Sequence, residues 1–213
     1  MDHADRIELL RKAGALWKHS GDIKNRPFAR LTSGKISDIF FDISKLIDRP
    51  ETLQKVAQVI FENIAGASPI APAGITYCGV PYGSITLAHE IARAAGGRSI
   101  FLEKTKYGNL ALGRFSVSEG EKMLIVEDVI TTGGSVQQTA SILKDAGANI
   151  INIVGAVVNR SGKNTTGALH IRSFVELEGT TWEEGQNPHT PNGAEIHTPL
   201  RPKVLGNWRK LTR

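Results

Sequence analysis

Apolar positions in this chain recur with two periods. Leu53, Val56, Ala57, Ile60 and Ile64 follow Pro50-Glu51 at helical spacing, behind a proline suited to a first helical turn. The same period predicts helices over about 4–19 (Ile7, Leu10, Leu16), about 83–95 and about 134–146, where Val136, Ala140 and Leu143 point inward and Gly147 ends the run. Between them lie short apolar runs at 74–78, closed by Gly79, at about 98–102, at 122–127 and at 150–158. Each reads as a buried strand. Strands alternating with helices predict an α/β fold with a mostly parallel sheet covered on both faces. Residues 28–42 alternate as a β-hairpin turning near Ser33-Gly34, and 103–113 is a polar, glycine-containing segment. Gly, Pro, Thr and Asn dominate from 178 to 200, which predicts an irregular C-terminal extension. There is no internal repeat.

The bulk numbers fit one substantial core: 213 residues, 40% hydrophobic and 22% charged. A single domain is the first expectation. The one cysteine, Cys78, excludes an internal disulfide and suits a reducing cytosol, so the expected location is cytoplasmic. No run approaches the roughly 18 apolar residues of a membrane helix, and the charged N-terminus is not expected to act as a secretory signal. The net charge of +5 comes from the end of the chain. Residues 201–213 hold five Lys/Arg and no acid, and the remainder balances. A nucleic-acid binder would spread its cations over a folded face, so nucleic acid is not an expected partner. The six histidines show no metal spacing; His170, His189 and His197 are assigned to the surface and Cys78 to the core. Trp182 and Trp208 are expected to dock their segment on the body or on a second subunit.

Candidate chemistry concentrates in Met123–Ser135, MLIVEDVITTGGS. Glu127 and Asp128 follow an apolar run, at the carboxyl end where open parallel sheets bind ligands. Thr131, Thr132, Gly133, Gly134 and Ser135 then lead into a helix. Successive backbone N–H groups and a helix N-terminus form an anion nest, and the hydroxyls add donors. This is a phosphate cradle without the lysine of a P-loop, since GxxxxGK[ST] is absent. Two acids beside such a cradle suit the hydroxyls of a sugar or the water shell of Mg²⁺.

VEDVITTGGS resembles the phosphoribosyl pyrophosphate (PRPP) signature of the type I phosphoribosyltransferases. Over roughly residues 5–160 the order of segments resembles the orotate-using branch of that family. LTSGKISDIFFD is similar to its base-binding hairpin, CGVPYGSITLA to its pyrophosphate loop, EKTKYG to its mobile catalytic loop and VVNRSG to its strand-end arginine segment. The resemblance implies a Rossmann-like sheet domain over 1–177, with an N-terminal hood at about 1–45, followed by an extension at 178–213 ending in a basic tail. It implies transfer of ribose 5-phosphate from PRPP to a base, orotate favoured, releasing pyrophosphate in pyrimidine nucleotide biosynthesis. It also implies Mg²⁺ held mainly by PRPP and water-bridged to Glu127 and Asp128, and a homodimer that shares the mobile loop. Carried over to this chain, Glu127, Asp128, Lys104 and Lys106 are catalytic. Thr131, Thr132, Gly133, Gly134, Ser135, Tyr82, Gly83 and Ser84 bind PRPP. Phe40, Phe41, Arg160, Ser33 and Lys35 bind the base, with strand alternation sending the two phenyl rings to opposite faces.

Two departures from the family pattern stand out. Thr32 occupies the place of a lysine, and the mobile loop has Glu103 and Tyr107 near the usual arginine and histidine. They leave open a phosphoribosyltransferase for another nucleobase, or a PRPP-sensing regulator that has lost catalysis.

Overall fold

The computed structural model describes residues 1–21, 27–31, 33–67, 71–183, 186 and 200–202. The elements begin with α1 (His3–Lys12), β1 (Leu16–Lys18), β2 (Ala29–Arg30), β3 (Ile36–Ser37), β4 (Ile39–Phe41), α2 (Ser44–Ile47) and α3 (Pro50–Ala65). A 3₁₀ turn at Pro72–Gly74 precedes β5 (Thr76–Gly79), α4 (Ile85–Ala95), β6 (Arg98–Phe101), β7 (Glu103–Lys104) and β8 (Leu110–Ala111). The chain continues with β9 (Lys122–Ile130), α5 (Gly134–Asp145), β10 (Asn149–Asn159), β11 (Thr165–Thr166), β12 (Leu169–Glu176) and β13 (Thr181–Trp182). Two compact units result. One comprises residues 1–6 with 43–178; the other comprises residues 7–42 with the described residues from 179 on.

The larger unit is built on a sheet of order β11-β12-β10-β9-β5-β6. All its neighbours are parallel except the edge strand β11, which pairs antiparallel with β12. After β5 the chain crosses through α4 to β6 on one side, then returns to β9 on the other. That reversal opens a crevice at the carboxyl ends of β5 and β9, where doubly wound sheets take their ligands. The strands are apolar on both faces because both are covered. Met123, Ile125, Val154 and Ala156 join Val136, Ala140 and Leu143 of α5 in one buried cluster. Leu110, Leu112, Phe115 and Val117 cover the rest of that face. On the other face α3 buries Leu53, Val56, Ala57, Ile60 and Ile64, the five residues predicted to share a stripe.

At the amino ends of the strands Glu121 acts as a clamp. Its carboxylate accepts from Thr76 Oγ1 of β5 at 2.7 Å, from Arg98 Nη1 of β6 at 2.6 Å and from the Ser118 N–H at 2.9 Å. Partial burial opposes the charge, but these donors outweigh it and hold the carboxyl below its ordinary range.

The smaller unit holds the predicted hairpin in reduced form. β2 pairs with β3 around a turn in which Gly34 has φ +90°, but 39–41 leaves that hairpin to pair antiparallel with β1. The helix expected over 4–19 stops at Lys12. Gly14 takes φ +73°, Gly14 and Ala15 N–H groups close the turn on Arg11 and Leu10, and the apolar Leu16-Trp17 pair becomes strand instead. Beyond 178 the chain is not uniformly irregular. Thr181–Trp182 pairs with β3, and Trp182 packs edge-on against Phe28 at 5.5 Å, so the ring does dock its segment. Arg201 and Pro202 are the described part of the basic tail; Trp208, His189 and His197 lie outside the described residues. His170 is exposed and Cys78 fully buried, as assigned.

Ile125 is completely buried between β9 and α5. Ile125→Ala is expected to lower the unfolding free energy by about 2–5 kcal/mol, measured by urea denaturation, because the close-packed cluster collapses only partly into the space left.

Candidate active site

The sequence reading places the two acids at the carboxyl end of a strand ending at 127. β9 runs three residues further than predicted, to Ile130, so Glu127 and Asp128 lie within its last turns of pleat. Pairing explains the extension: β10 partners β9 as far as Asn159↔Ile130. The two carboxyls meet, the Asp128 side chain acting directly on that of Glu127. Glu127 is buried at 7% exposure, and Asp128 is half-buried. Glu127 Oε1 accepts from the Asp128 N–H at 2.9 Å, and Asp128 Oδ1 accepts from the Val129 N–H at 2.7 Å. Burial, reinforced by the neighbouring Asp128 charge, raises the Glu127 carboxyl to about 9; Lys104 opposes the rise. Burial thus favours the neutral, proton-donating form of Glu127.

The loop after β5 packs on the same acids. Val80 N–H donates to Val126 O at 3.0 Å, carrying the β5–β9 pairing one step past β5. Gly83 then lies so close to the Asp128 carboxylate that a methyl group there would overlap it. The Pro81-Tyr82 peptide is cis. Ser84 faces away from the crevice: its hydroxyl is fully buried and donates to Val80 O at 2.5 Å. Of the three residues expected to bind pyrophosphate here, Tyr82 is exposed, Gly83 half-buried and Ser84 turned inward, leaving backbone groups as the donors.

The segment 103–113 is not merely a polar loop. It folds as a small hairpin, β7 with β8, closed by Thr105 N–H to Asn109 O at 2.8 Å. Lys104 projects back, its Nζ 5.2 Å from the Tyr82 ring centroid. Lys106 lies 4.9 Å from the Tyr107 ring, both residues exposed at the tip. Glu103 binds Arg114 at the hairpin base, and that guanidinium also lies 5.6 Å from Phe101. This arginine was not singled out from sequence, because its pairing across the hairpin has no local signature.

Thr131, Thr132 and Ser135 expose their side chains at the start of α5, and Gly134 opens that helix. Gly133 has φ +79° and packs against Thr166, which Gln137 also holds through Nε2 to Thr166 O at 2.8 Å. Thr166 and Gln137 thus shape the cradle, and neither was legible in the sequence. Arg160 follows β10, with its N–H bound to Ile130 O at 2.9 Å. In the smaller unit, Phe41 is buried and Phe40, on the opposite face, is half-buried against Trp17 and Leu200. Ser33 is exposed in the turn, and Lys35 is engaged by Glu183 at 2.8 Å. Thr32 lies outside the described residues. Buried Cys78, its thiol pushed up to about 12 by burial, is no nucleophile.

The Glu127 proton has a measurable consequence. The folded chain keeps a proton up to pH about 9 that an unfolded glutamate releases near its ordinary value of 4.5. The unfolded state binds fewer protons across that window, so stability falls as pH rises through it. Glu127→Gln is expected to flatten this fall when melting temperature is followed from pH 5 to 9.

The phosphoribosyl transferase domain family matches residues 42–185. The orotate phosphoribosyltransferase of Desulforamulus reducens is 33% identical over 91% of this chain and 94% of its own length. That of Chlorobium phaeobacteroides is 34% identical over 93% and 96%. Among solved structures, orotate phosphoribosyltransferase from Aeropyrum pernix superposes with TM-score 0.60 at 20% identity, over 80% of this chain and 92% of that one. The Mycobacterium tuberculosis enzyme gives 0.58 at 23%, over 82% and 96%. With its crevice at the β5/β9 switch, a family match over most of its length and relatives more than 30% identical along nearly their whole length, the chain belongs to the phosphoribosyltransferase family.

Proposed function

We propose that the chain is an orotate phosphoribosyltransferase, moving ribose 5-phosphate from PRPP to orotate with release of pyrophosphate. The observation that carries the mechanism is the convergence at one switch point of Gly83 on Asp128, Lys104 over Tyr82 and the exposed hydroxyls that open α5. The relatives of matching length carry the choice of orotate.

Cleavage at the anomeric carbon develops positive charge on the sugar and negative charge on the leaving group. Asp128 accepts from a ribose hydroxyl and stabilises the cationic ring, while Glu127, favoured in its neutral form, donates to a neighbouring oxygen. Thr131, Thr132, Gly133, Gly134 and Ser135 receive the 5-phosphate at the α5 N-terminus. Backbone N–H groups of Tyr82 and Gly83, with Lys104 and Lys106, receive the pyrophosphate. Phe40, Arg160, Ser33 and Lys35 are proposed to meet the base; Lys35 would exchange its Glu183 partner for it. Phe41 supports this face from the buried side.

Among the described residues no three His, Cys, Asp or Glu side chains gather into a metal cage. Asp128, with Glu127 beside it, offers the hard oxygen donors that suit Mg²⁺ when substrate phosphates and water complete its shell. Mg²⁺ would neutralise pyrophosphate charge, water-bridged to Asp128 and Glu127. A cytoplasmic homodimer completes the reading. An apolar groove of about 440 Å³ beside edge strand β6, lined by Ile47, Leu53, Ile85, Phe101 and Phe115 among others, supports such a contact. No helix among the described residues is long and apolar enough to cross a membrane.

Pyrophosphate release from PRPP and Mg²⁺, with and without orotate, tests the reading. Orotate-dependent release is expected. Release with another base alone would move the assignment to a sister enzyme, and PRPP binding without turnover on any base would make the chain a regulator. Asp128→Asn is expected to leave melting unchanged and lower turnover tenfold or more, in line with typical losses of transition-state electrostatics. Lys104→Ala and Lys106→Ala, both at exposed positions, are expected to lower turnover without shifting the melting temperature.

A further inference from the structure

A second polar cavity lies on the α3 face of the sheet, two strands away from β9. It measures about 300 Å³ and is lined by His3, Arg6, Asn63, Arg172, Phe174 and Glu176, with the neighbouring backbone of β12. Arg6 is held rigidly. Its Nη1 donates to Phe174 O at 3.1 Å, its Nε to Met1 O at 3.2 Å, and its guanidinium lies 5.7 Å from the Phe174 ring centroid. Arg172 Nη1 donates to Ile171 O at 3.1 Å, and Asn63 Nδ2 to Ser173 O at 3.2 Å. Each guanidinium has five N–H donors in a planar fork, so both keep donors to spare.

Neither arginine has a carboxylate within 4.0 Å among the described residues. Glu176 lines the same cavity but is exposed and outside that reach. Two half-buried like charges facing one small cavity repel each other until an anion screens them. Lysine would bring a point charge; two arginines bring the paired, directional donors that match phosphate oxygens. The two guanidinium charges favour a doubly charged anion over a singly charged one, against the opposing charge of Glu176.

We propose that this cavity is a binding site for a phosphate dianion, free or as a monoester, separate from the cradle at α5. It needs no assumption about the reaction. Bound there, phosphate would tie the start of α1 to β12 and to α3 through Arg6, Arg172 and Asn63.

The test is calorimetry with inorganic phosphate in chloride buffer at fixed ionic strength, on the full chain. A Thr131→Val, Ser135→Ala variant weakens the α5 cradle so that the second site is read alone. Phosphate binding is expected to persist in that variant and to weaken at least tenfold when Arg172→Gln or Arg6→Gln is added. Arg172→Gln decides the matter if Arg6→Gln unfolds, since among the described residues the Arg172 side chain bonds its own strand alone. Orotate turnover of Arg172→Gln on the wild-type background is expected to be unchanged. A nucleoside 5′-monophosphate titrated in parallel separates the two sources: tighter, equally arginine-dependent binding assigns the site to an ester. Phosphate binding that ignores both arginine substitutions, or that vanishes with the cradle variant, overturns the proposal.

Discussion

The backbone hydrogen bond from Val80 N–H to Val126 O, 3.0 Å long, continues the pairing of β5 with β9 beyond the last residue of β5. The site depends on it. Parallel neighbours whose connections leave in opposite directions open a crevice, and this bond fixes how far apart its two lips stand. Residue 126 is followed at once by the two acids, and residue 80 is followed three positions later by the glycine that packs on one of them. A side chain at 83 would force either the loop or the carboxylate to move. The hydroxyl of Ser84, returned to Val80 O, secures the same turn from below.

Burying Glu127 among apolar strands favours its neutral form. What results is asymmetry: adjacent carboxyls on one strand, one shielded, one half-exposed. Such a pair can donate and accept toward neighbouring oxygens of a polyol without two like charges competing for the same place. A pair of equally exposed acids could not divide the work in this way. The fold creates the difference by burial, Glu127 being enclosed and Asp128 only half-buried.

Much of this was legible in the pattern of residues. The α3 stripe, the apolar run before the acids, the glycine-hydroxyl loop and the opposite facing of Phe40 and Phe41 all follow from periodicity and local chemistry. What was not legible depends on distant partners. β7, β8, β11 and β13 are two residues long, too short to have a period. β9 outruns its apolar stretch because β10 pairs with it to the end, and polarity at Glu127-Asp128 hid that continuation. The helix over 4–19 was overdrawn because Leu16 fits a helical stripe as well as a strand, and only the left-handed Gly14 separates the two. The support of Gly133 by Thr166 and Gln137 joins residues some thirty positions apart, which no local rule anticipates.

The Glu121 clamp binds the opposite ends of the same strands that carry the crevice. Durability and chemistry therefore sit at opposite poles of one sheet, separated by the length of β9 and its buried middle. A lineage moving to a hotter habitat can strengthen the pole around Thr76, Arg98 and Ser118 while its substrate groups stay untouched. A lineage moving to a new base can redraw the other pole without loosening the frame. Divergence along these two directions is independent for as long as the strands between them stay packed.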